Sequence, residues 1–565
     1  MVELNCLPYG TGQEEGVCLQ VQLGPYRILL DCGLHDLSIW YEELVAPGTP
    51  VDLVICSHAH PDHARGLWAF HQLFPTVPIY ASEVTTQLLP LYWPHLQPPS
   101  ASTPFFCQAL PWRSPLEFLD GLTIELWPAG HLLGAAAILL SYTPFPHSSN
   151  TEVRPYTVFY TGDFFLSNTR LVQGLPLEEL RGLKPDVLIL EGSYGTTRNI
   201  HRRQQENQLS ERIYRAIEEH QSVLIPTPAI GLGQEILMML RSHHLFTGKD
   251  MDIWVDGMVA NGCDIYLSLL PYLPASVQNF ARHQPLFWDD RVRPRVRRLN
   301  PEQRHFLGEP PCIILTDEVI DFAEYCHDSD ANWLILLPHY PGYPSLGDPL
   351  QILAMVNHPS PLDPSPAAHS SLKLNLDYYF LADHCDGSTT LQLIHNLRPQ
   401  HVLFVHTPSP FLTDLMSLDE LNSRYHLHIP TSGILVELPI GDQFLQPPAP
   451  DTRYEGEVKE DGGGVIISLP DHLLEDPRWS SFADTGIVTL RWQGEELVIR
   501  GMTQREVSNL GRDMPASPDL ECCLSCVHYR RHRCCHQSSP LFGFKVTPDG
   551  FCPAHTPAHT DDLDI

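Results

Sequence analysis

Three histidines and an aspartate crowd the segment Ser57-His58-Ala59-His60-Pro61-Asp62-His63, directly after an apolar run at residues 51–56. Imidazoles and a carboxylate projecting from a strand end can face one cavity, and this donor set suits zinc, with manganese as the alternative. A single H-x-H is more often a histidine-rich surface loop than a ligand pair. The longer H-x-H-x-D-H spacing argues for a metal centre because further donors follow it in chain order. His131 stands in Gly130-His131-Leu132-Leu133-Gly134 and Asp163 in Tyr160-Thr161-Gly162-Asp163, each where a strand candidate ends. Either of these alone would be an ordinary core or surface residue.

Short strands must deliver these donors. Residues 17–23 and 26–31 flank the Gly24-Pro25 turn and read as a hairpin, and 51–56 reads as a strand buried in a sheet core. Further strands are expected at 122–127, 135–142, 157–160 and 187–190. Beyond Thr196 the texture alternates: helix 204–220, strand 223–225, helix 234–243, strand 253–255, helix 260–270, then apolar runs at 312–315 and 334–337. Such alternation predicts βαβ units. Residues 357–371 are rich in proline and serine and read as a surface loop or linker, after which strand character resumes at 374–381, 402–405 and 434–438. The expected organisation is a first domain in two parts, 1–198 and 373–440, interrupted by an α/β insertion at 199–372. A linker at 441–454, containing Pro447-Pro448-Ala449-Pro450, leads to a small strand-rich domain at 455–515 and a cysteine-rich tail at 516–565.

Composition sets bounds on function. The chain has 565 residues, 43% of them hydrophobic and 18% charged, which fits several folded globular domains and excludes a disordered chain. No apolar run approaches the roughly 20 residues of a spanning helix. The start Met1-Val2-Glu3-Leu4-Asn5 lacks a basic region followed by an apolar stretch, so a cytoplasmic protein with no membrane partner is expected. A formal net charge of −32 argues against a broad basic face for nucleic acid, although it counts carboxylates that hold metal ions and omits the ions. The run Arg291-Val292-Arg293-Pro294-Arg295-Val296-Arg297-Arg298 is the basic exception, either a guide for a phosphate backbone or a solvated loop. Fifteen cysteines in a chain without a leader pattern point to free thiols or metal ligands. In the tail, Cys523, Cys526, Cys534 or Cys535, and Cys552 offer four thiolates for a structural zinc ion or an iron–sulfur cluster.

The order of these donors resembles the metallo-β-lactamase superfamily, and three further motifs resemble its β-CASP branch of RNA-processing hydrolases. Leu190-Glu191-Gly192-Ser193-Tyr194-Gly195 looks like the acidic motif A, Asp383-His384-Cys385-Asp386-Gly387 like motif B, and Phe404-Val405-His406 like motif C. Pro226-Thr227-Pro228-Ala229-Ile230-Gly231-Leu232-Gly233-Gln234-Glu235 is similar to the family's Pro-x-x-Ala-x-Gly-x-x-Gln-Glu stretch, so the likeness spans nearly residues 1–440.

The resemblance implies an α/β fold: an αββα sandwich with an inserted β-CASP α/β domain, followed here by a small C-terminal cysteine-rich region. It implies that His58, His60 and His131 hold one metal ion, that Asp62, His63 and His406 hold the other, and that Asp163 bridges them. The first acid of the superfamily pattern matches Asp31, which would orient a ligand or the bridging water. His384, paired with Glu191, would protonate the departing ribose oxygen. Two metal ions ~4 Å apart polarise a scissile phosphoryl oxygen and acidify water.

The implied activity is hydrolysis of RNA phosphodiester bonds at two zinc ions, in RNA processing or decay. Single-stranded RNA is the implied partner and a homodimer is left open. Histidine at motif C goes with the RNA-processing members. Two other readings remain: a metallo-hydrolase of a small ester, thioester or other phosphodiester, and a non-catalytic scaffold of an RNA-processing assembly. Leu232 departs from the arginine expected after Gly231, and Leu315-Thr316-Asp317-Glu318 replaces a stretch of small residues; both predict a weaker grip on RNA. Endonuclease and exonuclease are not distinguished by sequence.

Overall fold

The computed structural model describes residues 3–12, 14–40, 48–93, 105–144, 154–308, 310–326, 332–342, 373–441, 458–461, 464–467, 488–493, 496–501, 526–530 and 533–536. The chain divides into two compact units, Met1–Pro447 and Pro448–Ile565.

The first unit is built on three sheets. β1 (Leu4–Gly12), β2 (Gly16–Leu23), β3 (Tyr26–Leu30), β4 (Leu53–Ile55), β5 (Ile79–Ser82) and β6 (Cys107–Leu110) lie side by side in chain order. β1 to β3 are antiparallel and β3 to β6 parallel. The expected hairpin therefore forms, and Gly24 makes its turn in the left-handed region at φ +62. β7 (Leu116–Leu119), β8 (Leu122–Pro128), β9 (Ala136–Tyr142), β10 (Tyr156–Tyr160) and β11 (Val187–Glu191) form the second sheet.

Alternation along the strands explains how the two sheets meet. Ile28, Leu30, Leu53 and Ile55 pack with Ile138, Leu140, Val158 and Ile189 in a core between the sheets. The neighbours Leu29, Val54, Leu139 and Leu188 belong to a different core, which includes Leu67 and Phe70 of the helix Leu67–Leu73. Burial on both faces is why these strands read as continuous apolar runs.

The third sheet contains β12 (Gln221–Thr227), β13 (Asp252–Val255), β14 (Arg295–Arg298), β15 (Ile313–Asp317), β16 (Asn332–Pro338) and β17 (Lys373–Tyr379), in the order β14-β13-β15-β12-β16-β17. Every pairing in it is parallel. Helices Leu232–Ser242 and Gly257–Ser268 follow β12 and β13, as the alternating texture predicts. β18 (His401–Val405) and β19 (His426–His428) then extend the second sheet beside β11, and β20 (Val436–Glu437) closes against β1.

Three expectations are corrected. The strand expected at 374–381 to resume the first domain instead pairs with β16, so the chain leaves the third sheet only after β17. The strand expected at 434–438 shortens to Val436–Glu437. The basic run is part exposed loop, at 291–293, and part strand, since β14 covers Arg295–Arg298, and aspartates stand beside its arginines. Arg291 faces Asp289 at 3.6 Å, Arg293 faces Asp250 at 3.5 Å and Arg295 faces Asp252 at 2.5 Å. Arg297 pairs with Asp252 and Asp290, and Arg298 with Asp264.

The second unit contains the hairpins Val458–Asp461 with Gly464–Ile467, Val488–Gln493 with Glu496–Gly501, and Tyr529–Arg530 with Arg533–Cys534. Cys526 and Cys535 flank the third hairpin and form no disulfide among the described residues. Cys523, Cys552 and the side chain of Cys534 lie outside the described residues, as does the linker expected at 357–371. Nothing among the described residues supports an iron–sulfur cluster. No helix among them is long and apolar enough to cross a membrane.

Candidate metal centre and active site

The donors come from strand ends, as their positions in the sequence predict. His58 to His63 follow β4, His131 lies between β8 and β9, Asp163 follows β10, Glu191 ends β11 and His406 follows β18. Asp62 and His63 lie on the short helix Pro61–Ala64, whose first residue is the proline. Asp31 and His406 sit in the left-handed region, at φ 61 and 51, so backbone strain is stored at two site positions just past strand ends.

Asp31 is fully buried and serves as a hub. It accepts hydrogen bonds from Ser57 N at 2.6 Å, Ser57 Oγ at 2.8 Å and Tyr160 Oη at 2.6 Å. His63 Nδ1 approaches the same carboxylate at 2.7 Å, which turns Nε2 of His63 toward Asp163 at 3.3 Å. Asp31 thus fixes the ring of His63, one of the candidate ligands.

The geometry of the imidazoles fits a cation. His60 Nε2 faces the Ile230 carbonyl at 3.3 Å and His131 Nδ1 faces the Asp383 carbonyl at 2.9 Å. Only N–H groups can serve those carbonyls, so in the neutral rings both protons are fixed there. His60 Nδ1 and His131 Nε2 are then lone pairs facing one another at 3.0 Å, an arrangement a shared metal ion would satisfy. His58 Nε2, His63 Nε2 and Asp163 Oδ1 are buried and lack hydrogen-bond partners. Burial, aided by neighbouring histidines, holds His58 well below its ordinary pKa, and His60 down at about 4, so both rings stay neutral as ligands must.

Asp163 divides its two oxygens between two donor groups. Oδ2 lies 3.5 Å from His58 Nε2 and 3.8 Å from His131 Nε2. Oδ1 lies 3.3 Å from His63 Nε2 and 3.6 Å from His406 Nδ1. One cluster therefore gathers His58, His60, His131 and Asp163, and a second gathers Asp62, His63 and His406. His406 Nε2 meets Asp62 Oδ2 at 2.9 Å. Burial opposes ionisation of Asp62, but that bond and the charge of His63 outweigh it and hold the carboxyl below its usual range.

His384 stands over this centre. Its Nδ1 lies 2.9 Å from Glu191 Oε1 and its ring centroid 4.5 Å from that of His131. Burial disfavours its charged form, yet Glu191 and Asp383 outweigh burial and push its pKa up to about 10. Glu191 is fixed by Phe164 N at 3.2 Å and Ser193 N at 3.0 Å. The pair has the arrangement of a proton donor and the carboxylate that charges it.

Other residues of the motifs quoted above support the donors. Ser193 Oγ contacts His406 Nδ1 at 2.9 Å, and Tyr194 donates to Asp383 at 2.9 Å. Gln234 donates to the carbonyls of Ala229 and Val259, and Glu235 accepts from Leu171 N at 2.7 Å, so the Pro226–Glu235 stretch is an anchor that delivers Ile230 to His60. Leu232, in the place of the expected arginine, is buried. Asp317 accepts from Met258 N and Val259 N at 3.0 Å, fixing the start of the helix Gly257–Ser268. Its neighbour Glu318 accepts from Tyr340 at 3.2 Å, and burial pushes its carboxyl up to about 7.

Comparison with known proteins agrees with this geometry. Residues 18–192 match the metallo-beta-lactamase superfamily. The chain is 48% identical to the uncharacterized protein sll0514 of Synechocystis sp. (strain ATCC 27184 / PCC 6803 / Kazusa), over 97% of this chain and 96% of that one. It is 28% identical to an RNase J-like protein of Methanocaldococcus jannaschii, over 54% of this chain and 70% of the relative. It is 23% identical to Integrator complex subunit 11 of Danio rerio, over 77% of this chain and 74% of the relative.

Proposed function

Because the chain belongs to the β-CASP family of the metallo-β-lactamase superfamily, we propose that it is a ribonuclease that hydrolyses RNA phosphodiester bonds at a dinuclear zinc site, in RNA processing or decay. The observation that carries this reading is the division of Asp163 between two donor clusters, with Oδ2 toward His58 and His131 and Oδ1 toward His63 and His406. His58, His60 and His131 would hold one ion, Asp62, His63 and His406 the other, and Asp163 would bridge. When bound, such an ion pair supplies electrophilic polarisation of a phosphoryl group and acidification of water.

The protein's own groups do the rest. Asp31 holds His63 in one ring orientation, and the carbonyls of Ile230 and Asp383 fix the rings of His60 and His131. His384, kept protonated by Glu191, donates its proton to the departing ribose oxygen, so that the leaving group departs as a hydroxyl. The likeness to an RNase J-like protein supports RNA as the substrate. The completeness of the donor set speaks against a scaffold that has lost catalysis. In the tail, Cys523, Cys526, one of Cys534 and Cys535, and Cys552 would hold a structural zinc ion.

The test is incubation of zinc-loaded protein with end-labelled single-stranded RNA beside the Asp62→Ala and His63→Ala variants. Cleavage by the wild type and its loss in both variants is the expected result, and the ladder of products distinguishes endonuclease from exonuclease. Hydrolysis of small esters with RNA left intact would overturn the reading.

A further inference from the structure

The arginines of β14 and its flanks are held by aspartates, and elsewhere in the first unit Arg113, Arg154, Arg170, Arg212 and Arg304 are likewise held by carboxylates. Arg65 is different. Among the described residues it forms no ion pair with a carboxylate; its Nε donates to the Pro61 carbonyl at 2.8 Å and its Nη1 meets Nε2 of His35. Arg65 is half-buried and His35 is exposed.

Its position matters as much as its partners. Arg65 follows Asp62 by three residues on one helical turn, which places the two side chains on the same face. The His35 loop is tied to the same turn by Cys32 N to the His63 carbonyl at 2.9 Å and Gly66 N to the Cys32 carbonyl at 2.8 Å. Gly33 packs so tightly that a Cβ would strike the Asp62 carbonyl. Arg65 and His35 are therefore held side by side at the rim of the metal centre by backbone bonds.

An arginine that donates to an imidazole gains no ion-pair attraction, and its remaining N–H groups are suited to an anion. His35 accepts at Nε2, so its Nδ1 carries a proton that can be donated. Glu318 and Asp383, which follow β15 and β17, are carboxyls, which do not attract phosphate.

We propose that Arg65 and His35 form a subsite for a non-scissile phosphate of the RNA strand, beside the metal centre on the first-sheet side. The inference rests on the ribonuclease reading for the identity of the ligand. It makes Arg65 a positioning residue: it grips the backbone one or more nucleotides from the bond that is cut.

The test compares the zinc-loaded full chain and its Arg65→Ala, Arg65→Lys and His35→Ala variants on two substrates. One is single-stranded oligouridylate; the other is bis(p-nitrophenyl) phosphate, which has no flanking phosphate. Arg65→Ala should lower kcat/KM on the oligonucleotide roughly tenfold relative to the small diester, mainly through KM, and flatten its salt dependence by about one phosphate contact. Arg65→Lys should recover part of the loss. Equal losses on both substrates, or none on RNA, would overturn the subsite. Hydrolysis on the small diester also shows that a variant is folded. Fluorescence anisotropy with a phosphorothioate oligouridylate separates the two claims: failure of the wild type to bind overturns the ribonuclease reading, whereas equal binding by wild type and Arg65→Ala overturns only the subsite.

Discussion

Nδ1 of His384 lies 2.9 Å from Oε1 of Glu191, inside a site that otherwise consists of neutral or metal-directed imidazoles. Burial works against a charged His384, and Glu191, with Asp383, reverses it, carrying the pKa from an ordinary 6.5 to about 10. A group with a raised folded pKa is fully protonated below its ordinary value and loses that proton as pH climbs through the raised one. The proton-donating form therefore persists through neutrality. The alkaline limb of kcat/KM due to this group should fall near pH 10 in the wild type and shift toward neutrality in Glu191→Gln, since burial remains and the charge is gone. His384→Ala should cost about 10²–10⁴-fold in kcat. Unchanged pH profiles in Glu191→Gln would disconnect the pair from catalysis.

Asp31 touches no metal ligand except His63, yet it fixes Ser57, Tyr160 and His63 together. Asp31→Asn keeps the shape and loses the charge that orients His63. Zinc affinity, measured by competition with a chelator, should weaken about 10–100-fold. Wild-type affinity in this variant would show that Asp31 serves folding only.

Gly33 has no room for a methyl group, because a Cβ there would run into the Asp62 carbonyl. Gly33→Ala must either push the Pro61–Ala64 turn outward or destabilise the first unit. Denaturant unfolding should show a loss of up to about 3 kcal/mol, together with weaker metal retention. Full stability with full metal content would contradict the packing described.

Arg297 is paired with Asp252 and Asp290 at the edge of the third sheet and faces no metal ligand. Arg297→Ala should change stability by no more than about 1 kcal/mol and leave RNA cleavage at the wild-type rate. A tenfold rise in KM for RNA would restore the basic run as a binding element.

The candidate donors are legible in the sequence because each follows an apolar strand whose end must lie near the others once the sheets stack. His58, His60, Asp62, His63, His131, Asp163 and His406 come together in the structure, with Asp31 beside His63 and Glu191 beside His384. In sequence the arginine run looks uncompensated because several of its partners are distant: Asp250, Asp252 and Asp264 come from other segments, and only folding pairs them with it. Texture alone does not say which sheet β17 joins, because a parallel edge strand has the same apolar pattern in either. The contact of Arg65 with His35 carries no local signal in the sequence, since thirty residues separate them.

The central claim is that one buried carboxylate, Asp163, couples two metal ions to RNA hydrolysis. Titrating zinc into chelator-stripped enzyme while following cleavage of single-stranded RNA tests it most directly. The expected result is activity that saturates at two equivalents of zinc in the wild type and is absent from Asp163→Ala at any zinc concentration. RNA cleavage that survives chelation, or that Asp163→Ala retains, would contradict it.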